Sequence, residues 1–137
     1  MVTMQKAAFQ KLRVYALSEE IADTLWRIVV QWTPFARETI GPQLVRAADS
    51  IGANIAEGYG RGPNNDNKRF VRVARGSLNE VIHFLRQAYR RQLMSAHEAQ
   101  GLKPLIEELG PKLNSYLKSI GRNNKQPTTP NLQLTTK

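Results

Sequence analysis

From Lys11 onward, apolar residues return at steps of three and four: Val14, Leu17, Ile21, Leu25, Ile28 and Trp32. Glu20, Asp23, Arg27 and Gln31 lie on the other side. That spacing predicts one long amphipathic helix, with Asp23 and Arg27 as an i,i+4 pair on its wet face. Thr33-Pro34 ends it, because the residue before a proline avoids the helical region. A connection leads to Gly41-Pro42, where Pro42 suits the first position of a second helix. Leu44, Ala48, Ile51 and Ile55 form its seam. Ala47, Ser50, Gly52, Ala53 and Ala56 keep it slim, so a neighbouring backbone can come close. Gly58 and Gly60 are expected to stop it.

Gly60-Arg61-Gly62-Pro63-Asn64-Asn65 reads as a turn, and Asn64, Asn65 or Asp66 can cap the next helix. This third helix is expected from Asn67 to Leu93, with Phe70, Val73, Ala74, Val81, Phe84, Leu85 and Ala88 as its apolar set. Ser95-Ala96-His97-Glu98 is a capping box, with Ser first and Glu three residues on. The fourth helix carries Leu102, Leu105, Ile106, Leu109, Leu113, Tyr116, Leu117 and Ile120. Pro104 falls near its first turn, and Pro111 should kink it or break it in two. No segment alternates with period two. The pattern therefore predicts an all-α protein, an antiparallel up-and-down four-helix bundle. Residues 1–11 read as an N-terminal arm, 12–120 as the bundle and 121–137 as a disordered polar tail.

Composition narrows the class. The 137 residues suffice for one domain with its own core, and 41% of them are hydrophobic. There is no cysteine, hence no disulfide framework and no thiolate metal site. The first ten residues lack the apolar stretch of a secretory signal, and no apolar run nears the ~20 residues of a membrane span. A cytoplasmic location is the expectation. Twenty Lys and Arg oppose eleven Asp and Glu, for a net charge of +9 and a pI near 10.3. Such a field attracts polyanions, nucleic acid first.

The charges are not scattered. Lys68, Arg72, Arg75, Asn79, His83, Arg86 and Arg90 succeed one another at steps of three and four in the third helix. At ~100° per residue they form one stripe roughly 80° wide, nearly opposite the apolar set. Seven cations and two acids lie between Asp66 and Arg91, with Arg69 and Arg91 completing the cations. Solvated faces ordinarily mix signs; this one is interrupted only by Asn79 and His83. Lys68 and Arg69 also fall in the expected first turn, where the helix dipole disfavours cations and favours a phosphate. Arg61, on the adjacent turn, could join them. A basic face of this kind tracks phosphates and does not itself read bases. Few aromatics accompany it, so stacking on single-stranded bases is not indicated.

Other chemistry is thin. Glu80-Val81-Ile82-His83 has the Glu-x-x-His spacing of di-iron bundles, but a second pair is missing, because Met94 precedes His97 where a Glu would be needed. Gly58-Tyr59-Gly60-Arg61-Gly62 comes after a helix rather than a strand and lacks the Gly-Lys-Ser/Thr ending of a phosphate loop. No catalytic group, metal site or cofactor is expected. Asn54, Glu57, Ser77 and Glu80 sit beside small residues, including Gly76. They read as interhelical hydrogen bonders, with Glu57 or Glu80 available to Arg61 or Arg46.

Ser50-Ile51-x-x-Asn54-Ile55-Ala56-Glu57-Gly58-x-Gly60-Arg61, then Phe70, then Ala74-x-Gly76-Ser77-Leu78-x-Glu80, resemble the bacterial four helix bundle protein family. That group is also called the ribosomal RNA intervening-sequence protein family. The resemblance covers roughly residues 11–120. It implies an antiparallel bundle, often a homopentamer, with no established catalytic site. The accessory variability determinant of diversity-generating retroelements shares the fold, and it binds a reverse transcriptase and nucleic acid. The expected function is thus non-enzymatic binding of RNA or DNA by a homo-oligomer, with a reverse transcriptase as a further partner. The alternative is a protein-interaction adaptor or an inert structural oligomer.

Overall fold

The apolar periodicity of the first segment folds as α1, Arg13–Val29, in a computed structural model that describes residues 6–122. α1 buries Val14, Leu17, Ile21, Leu25 and Ile28, as its spacing requires. The expected Asp23–Arg27 pair does not form; the Arg27 guanidinium turns back to the Thr24 hydroxyl at 3.4 Å. An exposed ion pair is worth too little to hold two long side chains in place. Before α1, Ala8–Lys11 makes a 3-10 turn that sets Phe9 edge-on to Tyr15, with ring centroids 5.0 Å apart. Part of the expected arm is therefore packed. The expected polar tail lies, from residue 123 on, outside the described residues.

The stretch read as a connection is partly helical. Pro34–Glu38 forms a short α2 with Pro34 at its first position. α3 then runs over Ile40–Tyr59, so Pro42 sits within its first turn rather than opening it. Gly52 lets α3 approach α1: a Cβ there would lie 3.0 Å from Ser18 Oγ. That buried hydroxyl is satisfied by donating to the Tyr15 carbonyl at 2.7 Å.

Gly58 does not stop α3. It is buried inside the helix, and a Cβ there would stand 2.6 Å from Asn67 Oδ1 and 3.0 Å from Phe70 Cβ. Gly60 is also right-handed, and the reversal falls at Gly62, whose φ is +87°.

α4, Asn65–Arg90, corresponds to the third helix expected from sequence. Its core face is Val71, Ala74, Ser77, Leu78, Val81 and Ala88. Val71 and Leu78 were absent from the expected set, and Val73 is exposed instead. The seam faces α3, where Ser77 meets Ser50.

α5, Ala96–Ser119, opens with the expected capping box, Ser95 and Glu98 exchanging two 3.0 Å bonds. It runs unbroken through Pro104 and Pro111, and Pro104 lies well beyond the first turn. Both prolines are exposed, so the carbonyls they leave unpaired, four residues back, can take water. A bidentate pair joins α1 to α5, Arg13 donating to the two Glu108 oxygens at 2.9 and 2.8 Å. These bonds hold the Glu108 carboxyl below its usual range.

The four long helices close a ring: α3 packs on α1 and α4, and α5 packs on the same two. Short connections reverse the chain each time, which is the up-and-down bundle. Leu17, Ile21, Leu25, Leu44, Ile51, Ile55, Leu109 and Leu113 are fully buried at its centre. Each contributes about 1.5–3 kcal/mol relative to exposure. α4 and α5 are the loosest neighbours, and a cleft of about 310 Å³ between them is lined by Ile82, Leu85, Tyr89, Leu102 and Ile106. Among the described residues, no helix is long and apolar enough to cross a membrane.

Candidate nucleic-acid interface

α4 begins where Asn64 caps it. The Asn64 side chain accepts from the Asn67 backbone N–H at 3.1 Å and donates to the Arg61 carbonyl at 2.7 Å. The helix starts two residues earlier than expected. Its first turn therefore carries Asp66, an acid where the dipole favours one, and Lys68 and Arg69 fall beyond it. Asp66 thus stands nearer the helix start than the cations expected to oppose the dipole.

Arg72, Arg75, Arg86 and Arg90 stand exposed on the outer face of α4, and Lys68 is half-buried at its start. Asn79 and His83 continue the same stripe and are exposed too. Arg91 is exposed just past the helix end. Among the described residues, none of these six cations has a carboxylate within ion-pairing distance. Arg75 donates to Asn114 Oδ1 at 3.1 Å and Arg90 to Gln87 Oε1 at 3.0 Å. Both partners are neutral, so they orient the guanidinium and leave its charge uncompensated.

Arg61 and Arg69 are placed differently. Arg61 reaches Glu57 at 2.9 Å and Asp66 at 3.3 Å; Arg69 reaches Asp66 at 2.9 Å. Both guanidinium groups cover the Phe70 ring, at 5.1 and 4.5 Å from its centroid. Two cations, two acids and one ring make a locally matched knot. These two arginines are thus set apart from the stripe with which they were grouped by sequence.

The motif residues divide the same way. Ser50 Oγ and Ser77 Oγ meet at 2.8 Å, an interhelical bond between α3 and α4. Asn54 supports it from within α3, donating to the Ser50 carbonyl and hydroxyl at 2.8 and 3.0 Å. Glu57, in the last turn of α3, pairs with Arg61 on the turn that follows. Glu80 is exposed beside Arg46 in the groove between α3 and α4. Gly76 is exposed, and a Cβ there would meet nothing within 4 Å. Glu80 and His83 are both at the surface, and the described residues bring no three His, Asp or Glu side chains together as a metal site.

The model of the 23S rRNA-intervening sequence protein family matches residues 10–115, which hold α1 to α4 and most of α5. The chain belongs to that family. A solved structure of a protein of unknown function from the S23 ribosomal protein family of Bacteroides thetaiotaomicron has the same fold. Its TM-score is 0.68 at 22% identity, over 77% of this chain and 99% of that one. No curated protein matches. Every stripe residue of this intervening-sequence protein lies inside the matched range, as do the Ser50–Ser77 bond and the Gly58 contact.

Sequence reasoning missed one side chain near the stripe. Phe35, in α2, is 80% exposed, the most exposed of the large hydrophobic residues described. It lines a groove of about 410 Å³ together with Thr39, Gln43, His83, Gln87 and Arg91. The available signal was an aromatic directly after Pro34, in a stretch with no apolar helical partner for it.

Proposed function

We propose that this protein is a non-enzymatic nucleic-acid-binding bundle that engages RNA or DNA phosphates through Lys68, Arg72, Arg75, Arg86 and Arg90. The supporting observation is the stripe's unmatched charge: four exposed arginines and the half-buried Lys68 along one helical face, with no described carboxylate paired to them. From Lys68 to Arg90 the helix rises about 33 Å, the length of about ten nucleotides of one strand. The family resemblance adds a homo-oligomer to this reading, with five copies favoured, and a reverse transcriptase as an additional partner. Repeating the stripe around an assembly would multiply weak contacts.

Five phosphate contacts carry a defined salt signature. The slope of log affinity against log salt is expected near about −4.5 on duplex or about −3.5 on single strands. Fluorescence anisotropy on labelled oligonucleotides across salt measures it. Reversing Arg72→Glu and Arg75→Glu together should weaken binding roughly 100-fold and flatten the slope by about two. Unchanged affinity and slope in that variant would remove the stripe from function.

A second reading has its own observation. The cleft between α4 and α5 leaves Ile82 45% and Tyr89 52% exposed, which fits a protein contact. Ile82→Glu with Tyr89→Glu should then change the sedimenting mass or abolish a protein complex while nucleic-acid affinity holds.

A further inference from the structure

We propose that the groove between α2 and the C-terminal half of α4 is a pocket for an unstacked nucleobase, so that the nucleic acid taken is single-stranded. This rests on the phosphate-tracking reading of α4 and departs from the expectation that stacking plays no part.

The backbone that presents the Phe35 ring is tied down. Pro34 fixes the first position of α2, and buried Ala36 anchors it from below. The Thr39 hydroxyl donates to the Phe35 carbonyl at 2.7 Å, and the Arg37 N–H donates to the Thr33 carbonyl at 2.8 Å. An aromatic face kept on a short, tied helix and left 80% exposed forfeits the burial that usually fixes a Phe. A flat π-face of that kind is what a base stacks on.

The rest of the groove suits a base edge. Half-buried Phe84 supplies apolar surface over the buried Ile40, with the His83 ring edge-on to Phe84 at 5.0 Å between centroids. Gln43 and Gln87 offer both donors and acceptors, and Arg91 adds a cation. The cleft between α4 and α5 differs: its lining is mostly aliphatic, with amide groups absent. An acyl chain or an apolar protein anchor would prefer that cleft; a heterocycle with polar edges prefers this groove.

The groove is also joined to the stripe. His83 belongs to both, Arg91 adjoins Arg90, and Gln87 accepts a hydrogen bond from Arg90. A strand whose phosphates run along Arg72, Arg75, Arg86 and Arg90 is thus led past Phe35. A duplex keeps its bases stacked inside and has none to offer.

The test is Phe35→Ala, measured by anisotropy on a labelled oligothymidylate of about 15 nucleotides and on a duplex of the same length. Single-strand affinity should fall roughly 5- to 100-fold, the size of one lost base stack, with the salt slope unchanged. Duplex affinity should stay within about twofold, and Phe35→Tyr should keep most single-strand binding. An inert Phe35→Ala, or equal losses on both probes, overturns the pocket. If Phe35→Ala instead changes only the sedimenting mass, the ring is a subunit contact and the pocket is likewise overturned. Where Phe35→Ala is inert but Arg72→Glu with Arg75→Glu abolishes binding, the pocket fails and the stripe stands. If the unaltered protein binds neither probe, both fail.

Discussion

The two ends of α4 are built from the same kind of residue and are left in opposite states. At the N-terminal end, Arg61 and Arg69 share Asp66, Arg61 also holds Glu57, and both cover Phe70. From Arg72 onward the arginines meet only neutral groups. Packing differs between the faces. Gly58 lies inside the α3–α4 seam against Asn67, whereas Gly76 lies on the outer face of α4 and meets nothing. A count of cations therefore does not measure the field a polyanion meets. Two carboxylates, Glu57 at the end of α3 and Asp66 at the start of α4, decide which arginines are paired, because a paired charge at 3 Å has little left to offer at longer range.

The sharpest way to break this comparison is to disarm each end in turn. Arg86→Glu with Arg90→Glu should weaken oligonucleotide binding roughly 100-fold. Arg61→Ala with Arg69→Ala should change it less than about threefold and should lower the melting temperature instead, since the Phe70 contacts go. Equal losses of affinity from both pairs would mean that the knot binds phosphate too.

Next in size is a test of the packing half. Gly58→Ala drives a methyl to 2.6 Å from Asn67 Oδ1 and 3.0 Å from Phe70 Cβ. Something must shift, at a cost of about 2 kcal/mol. Gly76→Ala meets nothing and should stabilise by about 0.5–1 kcal/mol through helix propensity. Chemical denaturation of the two variants reads both signs. Destabilisation by Gly76→Ala would indicate that this open surface is covered in an assembly.

These contrasts mark what could be read from sequence. Helix count, the α1 seam and the Ser95 capping box come from periods and caps, which are local. The exposed stripe was legible too, because spacing alone fixes a helical face. The α4 seam was missed at Val71 and Leu78, since Phe70 and Val73 are as apolar and only tertiary contact with α3 chooses between them. Gly58 was read as a stop because a close approach to Asn67, nine residues on, leaves no mark in sequence. The knot was half legible: an Arg61–Glu57 pair is an i,i+4 pattern, but Asp66 bridging Arg61 and Arg69 needs the turn's geometry. Phe35 lies some fifty residues from His83 and Arg91, and only the fold brings them to one groove.

A smaller effect runs the other way. Glu57→Gln with Asp66→Asn removes the partners of Arg61 and Arg69 while leaving both cations in place. If local pairing is what silences them, oligonucleotide affinity should rise about fivefold and the salt slope should steepen by one to two. Unchanged binding would show that their position on the turn, not their pairing, keeps them out of reach.

The smallest expected effect separates local pairing from net charge. Asp49 on α3 and Asp23 on α1 are like charges, away from the stripe. Burial first, and then the Asp23 charge, push the Asp49 carboxyl above its usual range. A carboxyl raised in the folded state opposes folding when ionised; that penalty is full above its folded pKa and fades as pH falls through it. Asp49→Asn should therefore raise the melting temperature at neutral pH by no more than about 2 °C, Asp49 being largely exposed, and the gain should vanish on acidification. The variant also adds a positive unit to the net charge, half of what Glu57→Gln with Asp66→Asn adds. At about 0.1 M salt, charges beyond roughly 10 Å are screened, so oligonucleotide affinity should hold within about 1.5-fold. If Asp49→Asn raised affinity half as much, on a logarithmic scale, as the pair at the knot, net charge alone would account for both. The distinction between the two ends of α4 would then carry no functional weight.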